Sequence, residues 1–386
     1  MSISLVNGAS RQNLGIESAP HLKAQLTTQK IMAIVLACLL PACAVHCYYF
    51  GFGVLWQFVN CALTAVVLEF VIAVLRHRKL LHYLSDLSYL VTAMILALTL
   101  PPFLPVYYSV LATAFAVIVC KAVFGGLGNN IFNPAMGGFI FVLISCPGIM
   151  GSSYVPPAPS AYTQATFAAT FDVIYKNEDL QKLKNQVEAL NLTDNSNDNE
   201  FSNSTDDLLS KLDALTGATY LENIKGARKT GKLNTLDGHD FSQSPYQAYL
   251  ALALAYLAGG LVLMILRIIL IKMVVVFFVS IIAISYILNH YFPGYFMPPL
   301  DSLIFGGTMI GAFFIITDPV TNAGTSKGRV CFSVLVAFLI VIIRAFGSYS
   351  DAVAFAVLLS NSAAPLIDQL TYRRPYGFKY KKGGLK

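Results

Sequence analysis

The sequence predicts an all-α polytopic membrane protein: about ten transmembrane helices in two inverted five-helix repeats, with an insertion outside the membrane between them. Three observations lead there. Of 386 residues, 56% are hydrophobic and 12% charged, with a mean hydropathy of +0.64, whereas soluble domains carry about 25% charged residues. The apolar residues form repeated runs of near-spanning length separated by short turns, as bilayer-crossing helices do. Those runs fall into two groups of five around one long polar stretch. Such a chain meets lipid, and no nucleic-acid partner is expected.

Taken in order, residues 1–30 form a polar leader without a small-residue cleavage pattern, so no cleavable signal peptide is expected. The first repeat, 31–150, contains expected spans at 31–46, 53–75, 86–101, 105–123 and 131–150. Residues 151–245 form the polar segment. The second repeat, 246–370, contains expected spans at 246–266, 268–289, 302–317, 329–346 and 350–370, and 371–386 is a basic tail. Several runs are shorter than the roughly 20 residues that cross about 30 Å of hydrocarbon. Short or Pro/Gly-interrupted segments are usual where broken helices meet inside a bundle.

Charge placement orients the chain. With the N-terminus in the cytoplasm, that side receives Arg11, Lys23, Lys30, Arg76, Arg78, Lys79, Lys121, Arg267, Lys272, Lys327, Arg329 and the tail from Arg373. The opposite short loops near 47–52, 102–105 and 290–301 contain no Lys or Arg, and Arg344 is the lone exception. This positive-inside pattern makes both termini cytoplasmic and 151–245 external, which in a bacterium is periplasmic, in an inner-membrane protein. The segment holds thirteen acidic and eight basic residues, and long loops translocate regardless of charge.

The halves resemble one another. Thr92–Ala97 ahead of Pro101 echoes Thr308–Ala312 ahead of Pro319, and Lys121-Ala-Val-Phe-Gly125 echoes Arg344-Ala-Phe-Gly347. Asn133-Pro-Ala135 then corresponds to Asp351-Ala352. Because five is odd, the second copy enters from the opposite side, related by a pseudo-two-fold axis in the membrane plane.

Two interrupted motifs stand at span mouths: Gly125–Asn130 leading into Asn133-Pro134, and Thr317-Asp318-Pro319-Val320-Thr321. Lipid cannot satisfy backbone groups freed there. Asn133 and Asp318 therefore either line a cofactor or ion cavity, with helix ends facing the ligand, or cap tight turns. The acidic groups in or beside spans are Glu69, Asp86, Asp301, Asp318, Asp351 and Asp368. Most stand near span ends, where they can be solvated or act as caps; Glu69 is deep and is the candidate for an ion or proton path. All seven cysteines lie in or beside spans. Cys43 and Cys47 share a helical face, consistent with a metal or iron–sulfur role or with small buried hydrophobes. No catalytic residue or metal site is assigned.

The external segment opens with a Pro/Ser-rich exit, and a helix is expected near 176–190. A low-complexity tract of Asn, Ser, Thr and Asp fills 191–207. Order is expected to resume ahead of Asp213-Ala-Leu-Thr-Gly-Ala-Thr219. That motif resembles the acceptor signature of proteins carrying flavin mononucleotide (FMN) through a phosphoester to threonine. Thr219 supplies an accessible hydroxyl. Gly217 and Ala218 remove bulk and free the backbone, and Asp213 and Thr216 can fix the turn or orient the nucleotide. The bland alternative is a helix start at Thr216 or Thr219 assisted by Glu222.

The motifs 124–136, 213–221, 311–321, 343–361 and 365–368, in this order, resemble the NqrB/RnfD family: the D subunit of the Rnf ion-translocating oxidoreductase, and more distantly the B subunit of Na⁺-translocating NADH:quinone reductase. The resemblance covers nearly the whole chain. It implies covalent FMN on Thr219, attached by a dedicated flavin transferase; a further reading of the interrupted motifs places a second, non-covalent flavin such as riboflavin near Asn133 or Asp318. The resemblance also implies partners, the remaining Rnf subunits (A, B, C, E and G). Electrons would pass between ferredoxin and NAD, coupled to Na⁺ or H⁺ translocation. The short leader and the tail Arg373-Arg-Pro-Tyr-Gly377 favour the Rnf branch; the 191–207 tract departs from the family. A non-redox inverted-repeat transporter or channel and a purely structural anchor are the competing readings.

Overall fold

The computed structural model describes residues 27–77, 85–155, 157, 166–176, 244–292, 295–347 and 351–372, and every regular element in them is helical. Residues 213–219, the tract 191–207, the expected helix beyond Lys176, most of the leader and the tail after Tyr372 lie outside these residues.

In the first repeat α1 is Thr28–Phe50, α2 Gly53–Leu75 and α3 Ser88–Thr99; α4 is Val106–Phe115, prolonged by a π-helical turn Ala116–Ala122. Helix α5 is Pro134–Ser145, followed by the short α6, Pro147–Ser152. The polar segment contributes α7, Phe167–Lys176. In the second repeat α8 is Ser244–Ile265, α9 Ile271–Tyr291 and α10 the short Pro299–Ile304. Helix α11 is Thr308–Ile310, prolonged by a π-helical stretch Gly311–Ile315; α12 is Ser326–Phe346 and α13 Val353–Thr371.

Helices α1, α2, α8, α9, α12 and α13 are long and apolar enough to span a bilayer. The others are not. Helices α3 and α5 have 12 residues each, about 18 Å of rise. The expected spans 86–101, 131–150 and 302–317 are therefore shorter or broken, for local reasons. Leu87 adopts a left-handed conformation before α3. Asn133 and Pro134 begin α5, and Pro147 follows a non-helical Cys146 at its end. Gly306 and Gly307, both at positive φ, separate α10 from α11. Buried Gln57 donates to the carbonyls of Pro102 and Leu104 at 3.3 and 2.6 Å, meeting carbonyls that the break after α3 exposes.

The inverted repeat is visible in the packing. The chain order pairs α1 with α8, α2 with α9, α3 with α11, α4 with α12 and α5 with α13. Helix α1 packs on α8 and α5 on α13, so two pairs of counterparts touch across the pseudo-dyad. The α1–α8 contact is close: a Cβ on Gly259 would lie 2.2 Å from the Cys38 carbonyl oxygen, the use of small residues expected where membrane helices meet. Half-helices α3 and α11 enter from opposite ends, each from a left-handed residue, Leu87 (φ 57°) and Gly307 (φ 67°). This aligns Ser88 with Thr308. The sequence echo between Thr92 and Thr308 is thus displaced by about one helical turn.

The end where α2 and α4 terminate and α12 begins is called the basic end. The end at the α1–α2 turn, the α9 terminus and the α10–α11 break is the aromatic end.

Candidate functional site

At the basic end of the first repeat, Lys121 in the π-turn of α4 donates to Glu69 Oε1 on α2 at 2.6 Å and to Ser88 Oγ at the start of α3 at 2.8 Å. Both charged residues are buried. Asp86 extends the chain, accepting from Ser88 N and Ser88 Oγ at 2.9 Å each. Nearby, Arg76 donates to the Ala122 carbonyl. Glu69 is as deep as the sequence suggests, but an ammonium balances its charge, and a cation approaching this carboxylate would compete with Lys121. Lys121 is equally not the solvated charge that positive-inside counting takes it for.

Arg344 holds the mirrored position in the second repeat. From α12 it donates to the carbonyls of Ser302, Phe305 and Gly306 and to Thr308 Oγ1, all at 2.8–2.9 Å. Each cation thus grips the hydroxyl that opens a half-helix: Lys121 with Ser88, Arg344 with Thr308. Their surroundings differ. Lys121 hydrogen-bonds a carboxylate, whereas Arg344 hydrogen-bonds carbonyls at and just after the end of α10, groups left unpaired at a helix C-terminus, with the Asp351 carboxylate acting on it through charge alone. Burial explains how Arg344 breaches the positive-inside pattern: its charge is spent inside the protein.

The Asn133 and Asp318 motifs, from opposite repeats, are joined through the middle of α13. Asn133 caps α5, accepting from Ala135 N and Met136 N at 3.1 and 3.3 Å. Asp318 accepts from Val320 N at 3.2 Å and Thr321 Oγ1 at 3.1 Å. Asn361 on α13, 1% exposed, bridges the two motifs. With its amide oriented to satisfy both ends, it accepts from Asn133 N at 3.1 Å and donates to the carbonyls of Thr321 (3.1 Å) and Val357 (3.2 Å). Asp368, also on α13, holds the far side of this loop, accepting from Gly324 N at 2.9 Å and Thr325 N at 3.1 Å. Asp351 accepts from Val353 N at 3.2 Å at the start of α13, where α5 uses Asn133. Asp86, Asp318, Asp351 and Asp368 thus all receive backbone N–H groups at segment starts.

Asn361 is a site residue that the sequence alone does not single out. The signal it does carry is a polar triplet, Ser360-Asn361-Ser362, inside an apolar span, because intramembrane polar groups seldom lack a purpose. Asn130 Oδ1 and Asn322 Oδ1, the latter on a side chain whose nitrogen donates to Met273 Sδ of α9 at 3.6 Å, are buried without a hydrogen-bond partner. Gly125, Gly126 and Gly128, at φ of 113°, 101° and 92°, shape the turn leading to Asn130. The orphaned Asn130 acceptor after a Gly-rich turn suits a ligand that donates a hydrogen bond. Among the described residues, a cavity lined by Thr99, Phe139, Ile310 and Asp351 among others is about 10 Å³, room for one water.

Cys43 is buried and Cys47 half-buried on α1. No group of three or more His, Cys, Asp or Glu among the described residues is arranged to hold a metal. Thr219, Asp213, Thr216, Gly217 and Ala218 lie outside the described residues.

These features define a class: a multi-pass, all-α membrane protein of two inverted repeats, with paired half-helices entering from opposite ends. Within that class, the chain belongs to the NQR2, RnfD, RnfE family, whose model matches residues 15–377. It is 38% identical over 368 residues to the D subunit of the ion-translocating oxidoreductase complex of Tolumonas auensis, covering 95% of this chain and 99% of that one. The corresponding chain of Psychromonas ingrahamii is likewise 38% identical over 368 residues, covering 93% and 97%. That of Vibrio cholerae is 35% identical over 364 residues, covering 94% and 99%.

Proposed function

We propose that this chain is the flavin-carrying membrane subunit of a redox-driven ion pump, relaying electrons between ferredoxin and NAD while Na⁺ or H⁺ crosses the inner membrane. One observation supports this above the rest: the near-full-length relationship to chains named as the D subunit of an ion-translocating oxidoreductase complex, joined to the acceptor motif Asp213–Thr219. The other subunits of such a complex (A, B, C, E and G in the Rnf branch) handle ferredoxin and NAD, for which this sequence offers no nucleotide fold or iron–sulfur ligand set.

The chemistry of the acceptor suits FMN: Thr219 offers a hydroxyl for the phosphoester, and Gly217 and Ala218 leave room for a flavin transferase. Bound there, the flavin supplies one- and two-electron chemistry, and the protein positions it and tunes its surroundings. The positive-inside pattern supports cytoplasmic termini and an external Thr219, so electrons from cytoplasmic donors cross the bilayer to reach it. A second, non-covalent flavin is proposed at the junction of Asn133 and Asp318, on the strength of the orphaned Asn130 oxygen. It requires that junction to open. Extraction of the native protein that yields only covalent flavin removes this second site.

The test is turnover in the assembled complex. Thr219→Ala is expected to leave assembly intact and to abolish ferredoxin–NAD activity and ion uptake into vesicles. Full activity in that variant would make the subunit a structural anchor.

A further inference from the structure

Helix α7 lies ahead of the helix expected near 176–190, and it packs at the aromatic end against the first turns of α2. Its ring stripe Phe167, Phe171 and Tyr175 closes on Trp56, with ring centroids 4.6, 4.9 and 5.7 Å away. Trp56 Nε1 donates to the Phe167 carbonyl at 3.4 Å, and Tyr175 Oη donates to Asn60 Oδ1. Thr170, Val173 and Ile174 are buried beneath the helix. The opposite side carries Asp172 and Lys176, paired at 2.7 Å with the lysine well exposed. Between these faces an apolar edge is open: Phe167 is 48% exposed and touches Phe52, itself 41% exposed.

That edge shares its level with other open rings. Tyr48, Tyr107, Tyr291, Phe292 and Phe346 are exposed at the helix ends or starts of the same end. At the basic end only Tyr372, among the described residues, is an exposed aromatic at a helix terminus. Aromatic rings gather at the boundary between headgroups and acyl chains. A short helix with an apolar edge and a charged outer face lies in that boundary plane. A protein partner would bury Phe167 equally well, but it would not account for open rings distributed around the whole end of the bundle.

We propose that α7 is a membrane-surface helix. It seats its Phe167–Phe52 edge in the phospholipid interface at the aromatic end, turns Asp172 and Lys176 to water, and is pinned to α2 through Trp56 and Asn60. It thereby fixes the start of the 151–245 segment to the bilayer surface. This inference does not depend on the flavin.

Trp56 is the single tryptophan of the chain, so the reporter can be moved. In the full chain reconstituted into phosphatidylcholine vesicles, the W56F/F167W variant is expected to lose emission when the lipid carries bromine. The loss is expected to be larger for bromine near the carbonyl end of the acyl chain than near its terminus, and aqueous iodide is expected to quench little. The W56F/A168W variant places the reporter one turn before Asp172, at the rim of the water-facing side, and is expected to be quenched both by bromine near the carbonyl end and by iodide, which covers the case in which Trp at 167 disturbs the seat. Quenching of both reporters by iodide alone would overturn the proposal in favour of a helix facing water. Quenching of both by neither agent would overturn it in favour of a protein-covered face.

Discussion

At the scale of single residues, buried charge decides most. Glu69 and Lys121 compensate each other where lipid or packed protein offers nothing else, and removing one member of such a pair typically costs about 3–5 kcal/mol. Lys121→Met is therefore expected to destabilise the protein by about that amount, and Lys121→Met with Glu69→Leu to recover much of the loss. Chemical unfolding in detergent, arranged as a double-mutant cycle, measures it; additive effects would show that the pair is not coupled. Asn361 makes a milder case. Asn361→Leu leaves Asn133 N and the Thr321 carbonyl unpaired at the repeat junction, with an expected loss of about 1–3 kcal/mol per buried group.

These residues are unevenly legible in the sequence. Glu69 stands out because a carboxylate deep in an apolar run needs a reason. Its partner does not, since Lys121 is 52 residues away and reads from the sequence as one more charge on the basic side. Arg344 is visible as an anomaly, and only its hydrogen bonds to the α10–α11 break explain it. Asn361 requires the fold, because its two clients lie on opposite repeats.

At the scale of elements, hydropathy locates the long helices closely; α2 spans Gly53–Leu75, the same bounds as the expected 53–75. It does not locate the ends of the half-helices, because a left-handed residue or an Asn-Pro cap leaves mean hydropathy almost unchanged. The conformational asymmetry between Leu87 and Gly307 gives a direct check. A left-handed conformation costs a non-glycine residue roughly 1–2 kcal/mol, so Leu87→Gly is expected to be neutral or stabilising by about 1 kcal/mol, and Gly307→Leu to lose about 1–2 kcal/mol. Thermal unfolding of the two variants decides it, and a destabilised Leu87→Gly would refute the assignment. Helix contacts give another: a Cβ on Gly260 would sit 2.2 Å from the Phe313 ring, so Gly260→Ala is expected to cost about 1–3 kcal/mol through overpacking.

At the scale of the whole molecule, Lys121 on α4 and Arg344 on α12 stand at opposite ends, each bonded to the opening hydroxyl of a half-helix, α3 or α11, and α13 joins the Asn133 and Asp318 motifs. A two-fold arrangement with unequal partners, a carboxylate hydrogen-bonded to one cation and carbonyls to the other, is a structure whose halves need not respond alike when a charge moves between them. Reporter fusions test the orientation: a fusion at the C-terminal tail is expected to report the cytoplasm, and one inserted within 191–207 the opposite side. The reverse pattern would place Thr219 with the cytoplasmic donors and remove the transmembrane electron step.

The central claim is that this bundle carries a flavin bonded to its external segment. Intact-mass analysis of the protein, produced together with its flavin transferase and denatured before measurement, tests that most directly. One covalent FMN is expected on the wild-type chain and none on Thr219→Ala. A wild-type chain without flavin, or a Thr219→Ala chain that retains it, would show that Thr219 is not the flavin's attachment point.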